Sequence, residues 1–154
     1  MGSPGKLEVD VEVKCNPDKF WSSIRESDKL FPKAFPELYK SIDIIEGDGR
    51  AVGSVRHVIF TDELSQIKES KEKIEAVDDE KRFVAYSVIE GGVLNFFKFF
   101  KAQLQVEPKG EGSLVKWSCE FEKAKDDAPN PEVIFKDFAV KTIKDIEEHL
   151  LKAN

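Results

Sequence analysis

The chain has 154 residues, of which 40% are hydrophobic and 35% are charged, and its formal net charge is −6 at pH 7. This length and composition predict a single domain over residues 1–154, large enough to bury a substantial core. The acidic balance argues against nucleic acid as a partner, because neutralising phosphates needs a basic face.

Cysteine usage and apolar runs indicate a cytoplasmic protein. Cys15 and Cys119 are too few for a disulfide framework and are expected to be free thiols. No metal-ligand spacing or cofactor motif is present in the sequence, so we predict no metal and no cofactor. The first residues contain no apolar signal core, and no run approaches the ~20 apolar residues of a membrane span. Integral membrane association is therefore not expected.

The first part of the chain predicts one strand followed by two short helices. Residues Lys6–Lys14 alternate strictly between apolar and charged, which is typical of a half-buried strand. Residues 16–18 (NPD) supply an N-cap, a proline at the first helical position and an early acid. A second helix fits Asp28–Ala34, and Pro36 ends it. The first helix should bury Phe20, Trp21 and Ile24.

From residue 39 to residue 121 the hydrophobic period is close to two, which predicts six further strands. Short turn sequences separate them, so the strands should form an antiparallel meander. The predicted strands are Tyr39–Glu46, Ser54–Thr61, Gln66–Val77, Arg82–Glu90, Phe96–Glu107 and Leu114–Lys123.

The longest predicted helix ends the chain. Asn130 is its expected N-cap and Pro131 its first residue. At 100° per residue one stripe should face the sheet. That stripe contains Phe135, Phe138, Ala139, Thr142, Ile146 and His149. The fold class is therefore α+β, with a curved antiparallel sheet gripping a C-terminal helix.

Five segments carry a resemblance to a known family. Residues 30–36 (LFPKAFP), 45–49 (IEGDG) and 86–92 (YSVIEGG) resemble the superfamily of the birch pollen major allergen and the pathogenesis-related class-ten proteins. Residues 53–55 (GSV) and 106–110 (VEPKG) are more similar to its major latex protein branch. The resemblance runs from about residue 5 to residue 151.

The resemblance implies a helix-grip fold, in which a seven-stranded sheet wraps the long helix and two short helices close the base. It further implies a large internal cavity for an amphipathic hydrophobic molecule, such as a fatty acid, lysophospholipid, sterol or plant-hormone-like compound. An intracellular carrier linked to plant defence or stress response is the expected role. The sequence leaves open whether the protein forms a homodimer or binds a protein partner.

The glycines Gly47, Gly49 and Gly53 could belong to a phosphate-binding loop or to a hairpin connection. A phosphate loop needs a helix after the glycines, whereas residues 54–60 have the pattern of another strand. We therefore favour a hairpin loop that needs positive φ angles. A nest of its N–H groups could still attract an anion.

Alternation along the strands and the helical stripe nominate the residues that face the cavity. For the strand at 54–61 the choice is open, because Val55, His57 and Ile59 form a rival face to Val58 and Phe60. The candidate ligand-binding residues are Arg56, Val58, Phe60, Ile67, Lys71, Val84, Tyr86, Val88, Phe97, Phe100, Leu104, Val115, Trp117, Cys119, Phe135, Phe138, Ala139, Thr142 and Ile146.

The predicted cavity has an energetic consequence. An empty space costs on the order of 24 cal/mol per Å³. A ligand-sized pocket of roughly 500 Å³ would then cost about 12 kcal/mol, which is comparable to the whole stability of a domain. A large pocket should therefore be wet, open or filled.

The strand at 66–74 carries charges on both faces, so it could be a solvated rim strand or the polar end of the cavity. In the second case Arg56, Lys71 or Lys73 would meet a carboxylate or phosphate head group. The route inward is expected between the long helix and the loops Thr61–Ser65 and Gly91–Phe96. The phenylalanines of Phe96–Phe100 cannot all face inward in one regular strand, so some should form an exposed aromatic patch.

The sequence gives little support for an enzyme. Superfamily members proposed as ribonucleases use the glycine loop, a strand glutamate and a C-terminal Glu-x-Tyr. Here the strand position holds Lys98 or Phe99 instead of a glutamate. The C-terminal glutamate is Glu147, and His149 replaces the tyrosine. The residues of the amine–aldehyde condensing members cannot be matched individually. We expect a non-enzymatic carrier, with a cavity-based enzyme or a ligand-dependent signalling module as alternatives.

Overall fold

The computed structural model of the protein describes residues 4–61 and 67–152. Within these residues the chain forms seven strands: β1 (Gly5–Val13), β2 (Tyr39–Glu46), β3 (Val55–Phe60), β4 (Glu69–Asp78), β5 (Phe83–Gly91), β6 (Phe97–Lys109) and β7 (Gly112–Lys123). The α-helices are α1 (Pro17–Arg25), α2 (Ser27–Ala34) and α3 (Phe138–Lys152). A 3₁₀ turn covers Gly92–Asn95, and a π-helical segment, Glu132–Asp137, leads into α3.

The strands form one antiparallel sheet in the order β1-β7-β6-β5-β4-β3-β2. The helices α1 and α2 follow the first strand, and α3 follows the last. The predicted helix-grip fold, with its seven strands, two short helices and long C-terminal helix, is confirmed.

Local sequence explains where the helices begin. The side-chain oxygen of Asn16 accepts hydrogen bonds from the N–H groups of Asp18, at 2.8 Å, and Lys19, at 3.2 Å. This satisfies N–H groups that have no partner inside the helix, and it leaves Pro17 at the first position as predicted. The second helix begins one residue earlier than predicted, at Ser27, and includes Pro32.

The start of the C-terminal helix differs from the prediction. Asn130 does accept a hydrogen bond from the N–H of Glu132, at 2.9 Å, as a capping residue would. The next six residues, Glu132–Asp137, are π-helical, so the expected 100° periodicity does not hold there. Beyond them, α3 packs tightly on the sheet and the other helices. Ala139, Thr142, Ile143 and Ile146 are each 0% exposed.

Two of the register shifts in the sheet affect which side chains of β5 and β6 face inward. The pairing of β4 with β5 shifts between Lys71 and Glu72, and the pairing of β6 with β7 shifts between Phe97 and Phe99. A bulge of this kind changes the alternation of faces along a strand. The predicted start of β4 at Gln66 lies outside the described residues, and the observed strand starts at Glu69.

Both cysteines, Cys15 and Cys119, are buried free thiols, as predicted. Burial raises the pKa of the Cys119 thiol to about 12, which keeps it protonated at neutral pH. Among residues 4–61 and 67–152, no helix is both long enough and apolar enough to span a bilayer.

Candidate functional site

Two small cavities lie between the sheet and the helices. The first, the basal chamber, has a volume of about 90 Å³ and touches α1, α2 and the loop between β2 and β3. The second, the loop-side chamber, has a volume of about 60 Å³ and lies beside the 3₁₀ turn and the π-helical segment. Both are lined mainly by apolar and aromatic side chains.

Five side chains line both chambers, and we call them the partition: Phe60, Glu72, Tyr86, Trp117 and Phe138. The rings of Phe60 and Phe138 meet edge to face with their centroids 5.6 Å apart, and Trp117 lies 6.3 Å from Phe138. The indole N–H of Trp117 donates a hydrogen bond to the Tyr86 hydroxyl at 3.2 Å. The partition is thus an aromatic wall with one carboxyl group in it.

The partition explains why the chambers are far smaller than the pocket expected from the resemblance. A ligand-sized pocket is roughly 500 Å³, whereas each chamber here is about 90 Å³ or less. At about 24 cal/mol per Å³, the basal chamber costs about 2 kcal/mol. The interior is therefore filled by its own aromatic rings, and a guest larger than the chambers has to displace them.

A buried ion pair lies at the centre of the site. One guanidinium nitrogen of Arg56 donates to the Ser27 hydroxyl at 2.5 Å, and another lies 3.5 Å from a carboxylate oxygen of Glu72. The Ser70 hydroxyl donates to the other Glu72 oxygen at 3.2 Å. The two charged side chains are only 18% and 14% exposed. Burial raises the pKa of Glu72, although Arg56 and Ser70 oppose this shift.

Two tyrosines contribute neutral polar groups. The Tyr39 hydroxyl is 3.2 Å from the Thr142 hydroxyl on α3. Burial raises the pKa of Tyr39 and, well above its usual value, that of Tyr86. Both phenols are therefore protonated at neutral pH and can act as hydrogen-bond partners but not as charges.

Twelve of the nineteen predicted ligand-binding residues line the two chambers. The structure also shows which face of β3 turns inward, and it is the face that carries Arg56. The predicted residues that line the basal chamber are Arg56, Val58, Phe60, Val84, Tyr86, Leu104, Trp117 and Phe138. Those that line the loop-side chamber are Phe60, Ile67, Tyr86, Val88, Phe100, Trp117, Phe135 and Phe138.

Lys71 does not lie where the sequence analysis placed it. It pairs with His57 across the sheet, on the face opposite to Arg56. Its ammonium group is 3.1 Å from the carboxylate of Glu90, which is 67% exposed. Ser70, Glu72 and Ile74 share the inner face of β4 by unbroken alternation, so Lys71 lies on the outer face.

The six other predicted residues that line neither chamber belong to the packed core. Phe97 is 1% exposed and packs its ring against Phe100 and Phe121. The remaining five are each 1% exposed or less. They are Val115, Cys119, Ala139, Thr142 and Ile146.

Sequence analysis missed Glu72, the acidic member of the partition. A signal was present, because Ser70, Glu72 and Ile74 share one face of the strand and Ile74 should point into the core. The chamber residues Ser27, Phe31 and Tyr39 were also missed, since they come from α2 and the start of β2. Their approach to the sheet depends on tertiary packing, which alternation does not reveal.

The glycine loop is the hairpin connection predicted between β2 and β3. Gly47, Gly49 and Gly53 have φ angles of 73°, 82° and 90°, and a strand follows them instead of a helix. The loop N–H groups of Arg50 and Ala51 donate to the carboxylate of Asp48, both at 2.8 Å. The anion in this nest is therefore the loop's own aspartate, and these bonds lower the pKa of Asp48.

The aromatic cluster at the start of β6 is less exposed than expected. The bulge between Phe97 and Phe99 allows both Phe97 and Phe100 to face inward, and both are buried. Phe96 and Phe99 are half-buried, with lysine ammonium groups over their rings. The expected exposed aromatic patch is therefore wrong. Of the expected gate loops, residues 62–65 lie outside the described part of the chain.

The positions considered for ribonuclease chemistry have structural roles. A carboxylate oxygen of Glu147 accepts the backbone N–H of Lys14 at 2.7 Å and thereby ties α3 to the end of β1. The exposed His149 packs edge-on against Phe35. The ammonium of Lys98 is 2.7 Å from Glu122. These groups do not converge on either chamber.

Comparison with known proteins agrees with this architecture. The sequence matches the Pathogenesis-related protein Bet v 1 family over residues 2–153. It is 49% identical over 152 residues to MLP-like protein 423 of Arabidopsis thaliana, covering 99% of this chain and 97% of the relative. The structure is similar to that of ginseng major latex-like protein 151 from Panax ginseng, with a TM-score of 0.83, 30% identity and coverage of 95% and 97%.

An enzyme has the same architecture. Norcoclaurine synthase from Thalictrum flavum has a TM-score of 0.80 at 24% identity, covering 97% of this chain and 88% of that one, which shows the shared fold alone. The fold is one that binds small hydrophobic ligands and can also be enzymatic. Because the family match spans nearly the whole sequence, the chain belongs to the Bet v 1 family of pathogenesis-related proteins, in its major latex protein branch.

Proposed function

We propose that the protein binds and carries an amphipathic hydrophobic small molecule between its sheet and α3. The candidate guests are a fatty acid, a lysophospholipid, a sterol or a plant-hormone-like compound. The observation that carries the proposal is the partition, an aromatic wall whose Glu72 pairs with Arg56 of the basal chamber in a buried ion pair. An apolar body would bind to the rings and a polar head to the pair.

Binding of such a guest requires the partition to open. Phe60 and Phe138 are only half-buried, so their rings can turn without leaving a fully packed site. Each Å² of apolar surface removed from water contributes about 25 cal/mol, which offsets the cost of moving the rings. An apolar pocket discriminates weakly between similar hydrophobes, so we expect broad selectivity.

The cellular role is proposed from family membership. We propose a cytoplasmic location and a link to plant defence or stress response, both supported by the match to the pathogenesis-related family. A homodimer or a protein partner that responds to the bound guest would turn the carrier into a signalling module. A pull-down performed with and without the guest separates these roles.

A cavity-based enzyme is the second candidate, favoured by one observation. Glu72 is a buried carboxyl group with a raised pKa close to Tyr86, which is an arrangement suited to proton transfer. However, no lysine from the described residues lines either chamber, so a condensation that needs a cavity lysine lacks that group. Turnover that is lost in Glu72→Gln while binding is retained would favour the enzyme.

Native mass spectrometry of the protein purified from its source tissue tests the carrier directly. We expect one guest per chain, identified after extraction. Recombinant wild-type protein and a Val84→Phe variant, whose new ring fills the basal chamber, are then incubated with an extract of the same tissue. The variant should take up much less guest than the wild type. The control is Val52→Phe at a side chain that is 60% exposed. A wild-type protein that takes up no guest, or equal uptake by the two variants, would contradict the proposal.

A further inference from the structure

The ion pair between Arg56 and Glu72 joins one permanently charged group to one that can become neutral. The guanidinium group of Arg56 carries a permanent positive charge, as arginine side chains do in proteins. Glu72 can lose its charge, since burial favours its protonated form. The distance of 3.5 Å between their nearest atoms indicates a loose pair. The net charge at the centre of the site is therefore zero or +1, depending on the proton at Glu72.

The other ionisable groups around the chambers do not change this count. On α1, the guanidinium of Arg25 pairs with Asp79 at 3.0 Å and bonds the backbone oxygen of Arg50. On β2 and β5, Tyr39 and Tyr86 stay neutral because burial raises their pKa values. On α3, Asp145 pairs with Lys141 at 3.4 Å. Arg56 and Glu72 are thus the groups that set the net charge at the centre of the site.

This division favours an anionic guest over a cationic one. A guest with a positive head would have to sit beside Arg56, whose charge cannot be removed. A guest with a negative head can pair with Arg56 if Glu72 takes up one proton and becomes neutral. Bringing a second carboxylate to the site without that proton would place two like charges together, which raises the pKa of one of them.

We propose that the site selects weak acids with an apolar body and that Glu72 is the internal counter-ion which the guest replaces. The inference rests on the proposed carrier function and assigns its ligand class. If the guest arrives as a neutral acid, its O–H bond breaks, an O–H bond forms on Glu72, and the carboxylate pairs with Arg56. If the guest arrives ionised, the proton that binds to Glu72 comes from solvent.

Proton uptake makes binding depend on pH in a defined way. Each anion bound consumes up to one proton, so the affinity should fall as the pH rises, by up to about tenfold per pH unit. The dependence should end where Glu72 is protonated in the free protein, and it should be absent for guests without an acidic head. These properties follow from the exchange at Glu72, whatever the apolar body.

Isothermal titration calorimetry with octanoate, methyl octanoate and octylamine tests the exchange between pH 6 and pH 8. We expect wild-type protein to bind octanoate with uptake of up to one proton, measured in two buffers of different ionisation enthalpy. Methyl octanoate should bind without proton uptake, and octylamine should bind more weakly than either. In Glu72→Gln, octanoate should bind with no proton uptake and at least tenfold more tightly at pH 8.

Two further variants complete the experiment. Arg56→Gln should weaken octanoate at least tenfold and leave methyl octanoate within about twofold. Lys71→Gln on the outer face is the matched control and should change neither ligand. If methyl octanoate binds but octanoate binds with no proton uptake, the exchange is overturned while the carrier function stands. If neither ligand binds, both the carrier function and the exchange are overturned.

Discussion

Glu72 combines two properties that oppose each other, because it is a charged residue placed in an aromatic wall. Its side chain is 14% exposed, and desolvation raises its pKa more than Arg56 and Ser70 lower it. A carboxyl group of this kind costs stability when it is ionised. Glu72 is therefore suited to take up a proton when an anionic guest pairs with Arg56.

The pH dependence of stability follows from the sign of this shift. The pKa of Glu72 is higher in the folded protein than in the unfolded chain, where it is about 4.3. The contribution of Glu72 to the free energy of unfolding is therefore fully present below the unfolded pKa. It is lost as the pH rises through the folded pKa. The free energy of unfolding of wild type minus that of Glu72→Gln should therefore fall above pH 4.3 and then level off. Urea denaturation of both proteins at pH 4.5, 5.5, 6.5 and 7.5 measures it. A difference that grows with pH would refute the assignment.

Comparison of Glu72 with Lys71 shows what the sequence could predict at this scale. Alternation placed Arg56, Val58 and Phe60 on one face of β3 but left open whether that face turns inward, and in the structure all three line the basal chamber. On β4 the charges occupy both faces, so composition alone does not separate Lys71 from Glu72. Alternation with the core residue Ile74 does separate them, and the cross-strand pairing of Arg56 with Glu72 agrees with it.

The loop between β2 and β3 forms part of the basal chamber through Gly49. Its conformation is fixed internally, since Asp48 accepts hydrogen bonds from Arg50, Ala51 and the Ser54 hydroxyl. The Arg50 guanidinium is 2.8 Å from Glu26 at the junction of α1 and α2. The loop is therefore a rigid wall of the chamber rather than a ligand-binding nest.

Two glycine substitutions test this rigidity. Gly53→Ala should cost about 1–2 kcal/mol of unfolding free energy, because its φ is 90° but a Cβ would meet nothing within 4 Å. Gly47→Ala should cost more, since its Cβ would lie 2.5 Å from the Ser54 hydroxyl and 3.2 Å from the Ser54 Cα. Chemical denaturation measures both values. Equal costs would mean that the contact with Ser54 is unimportant.

The C-terminal helix shows a second limit of sequence analysis. Its cap at Asn130 and the burial of Ala139, Thr142 and Ile146 follow from local pattern and were predicted. The placement of His149 in the same buried stripe was wrong, because His149 is exposed and Ile143 is buried instead. The π-helical turn at Glu132–Asp137 was not predicted, because a π-helix has no propensity signal that distinguishes it from an α-helix. This segment places Phe135 beside the loop-side chamber.

For the whole molecule, the order of elements follows from periodicity, turn residues and caps, all of which are local. The volume of the interior does not follow from them, because it depends on how twelve phenylalanines and their neighbours share the space. The resemblance predicted a large cavity, whereas residues 4–61 and 67–152 line two small chambers between the sheet and the helices, separated by aromatic rings. An interior in which aromatic rings occupy the space between the chambers is consistent with the expectation that a large pocket is wet, open or filled.

Removing one ring of the partition should join the chambers. We expect Phe138→Ala to lower the unfolding free energy by about 2–4 kcal/mol and to raise the affinity for chains longer than octanoate, by about fourfold per methylene newly buried. Calorimetry with octanoate and decanoate measures the gain. Phe97→Ala is the matched control, since Phe97 is buried but lines neither chamber. Phe97→Ala should lower the free energy of unfolding by about 3–5 kcal/mol without raising the affinity for longer chains. An equal gain in both variants would contradict the role of the partition.

The most direct test of a guest site between the sheet and α3 is an NMR measurement of intermolecular nuclear Overhauser effects between octanoate and the aromatic side chains. A guest that opens the partition should show contacts from its chain to the rings of Phe60, Trp117 and Phe138, which line both chambers. Contacts limited to outer-face residues such as Lys71, with none to these rings, would contradict an internal site.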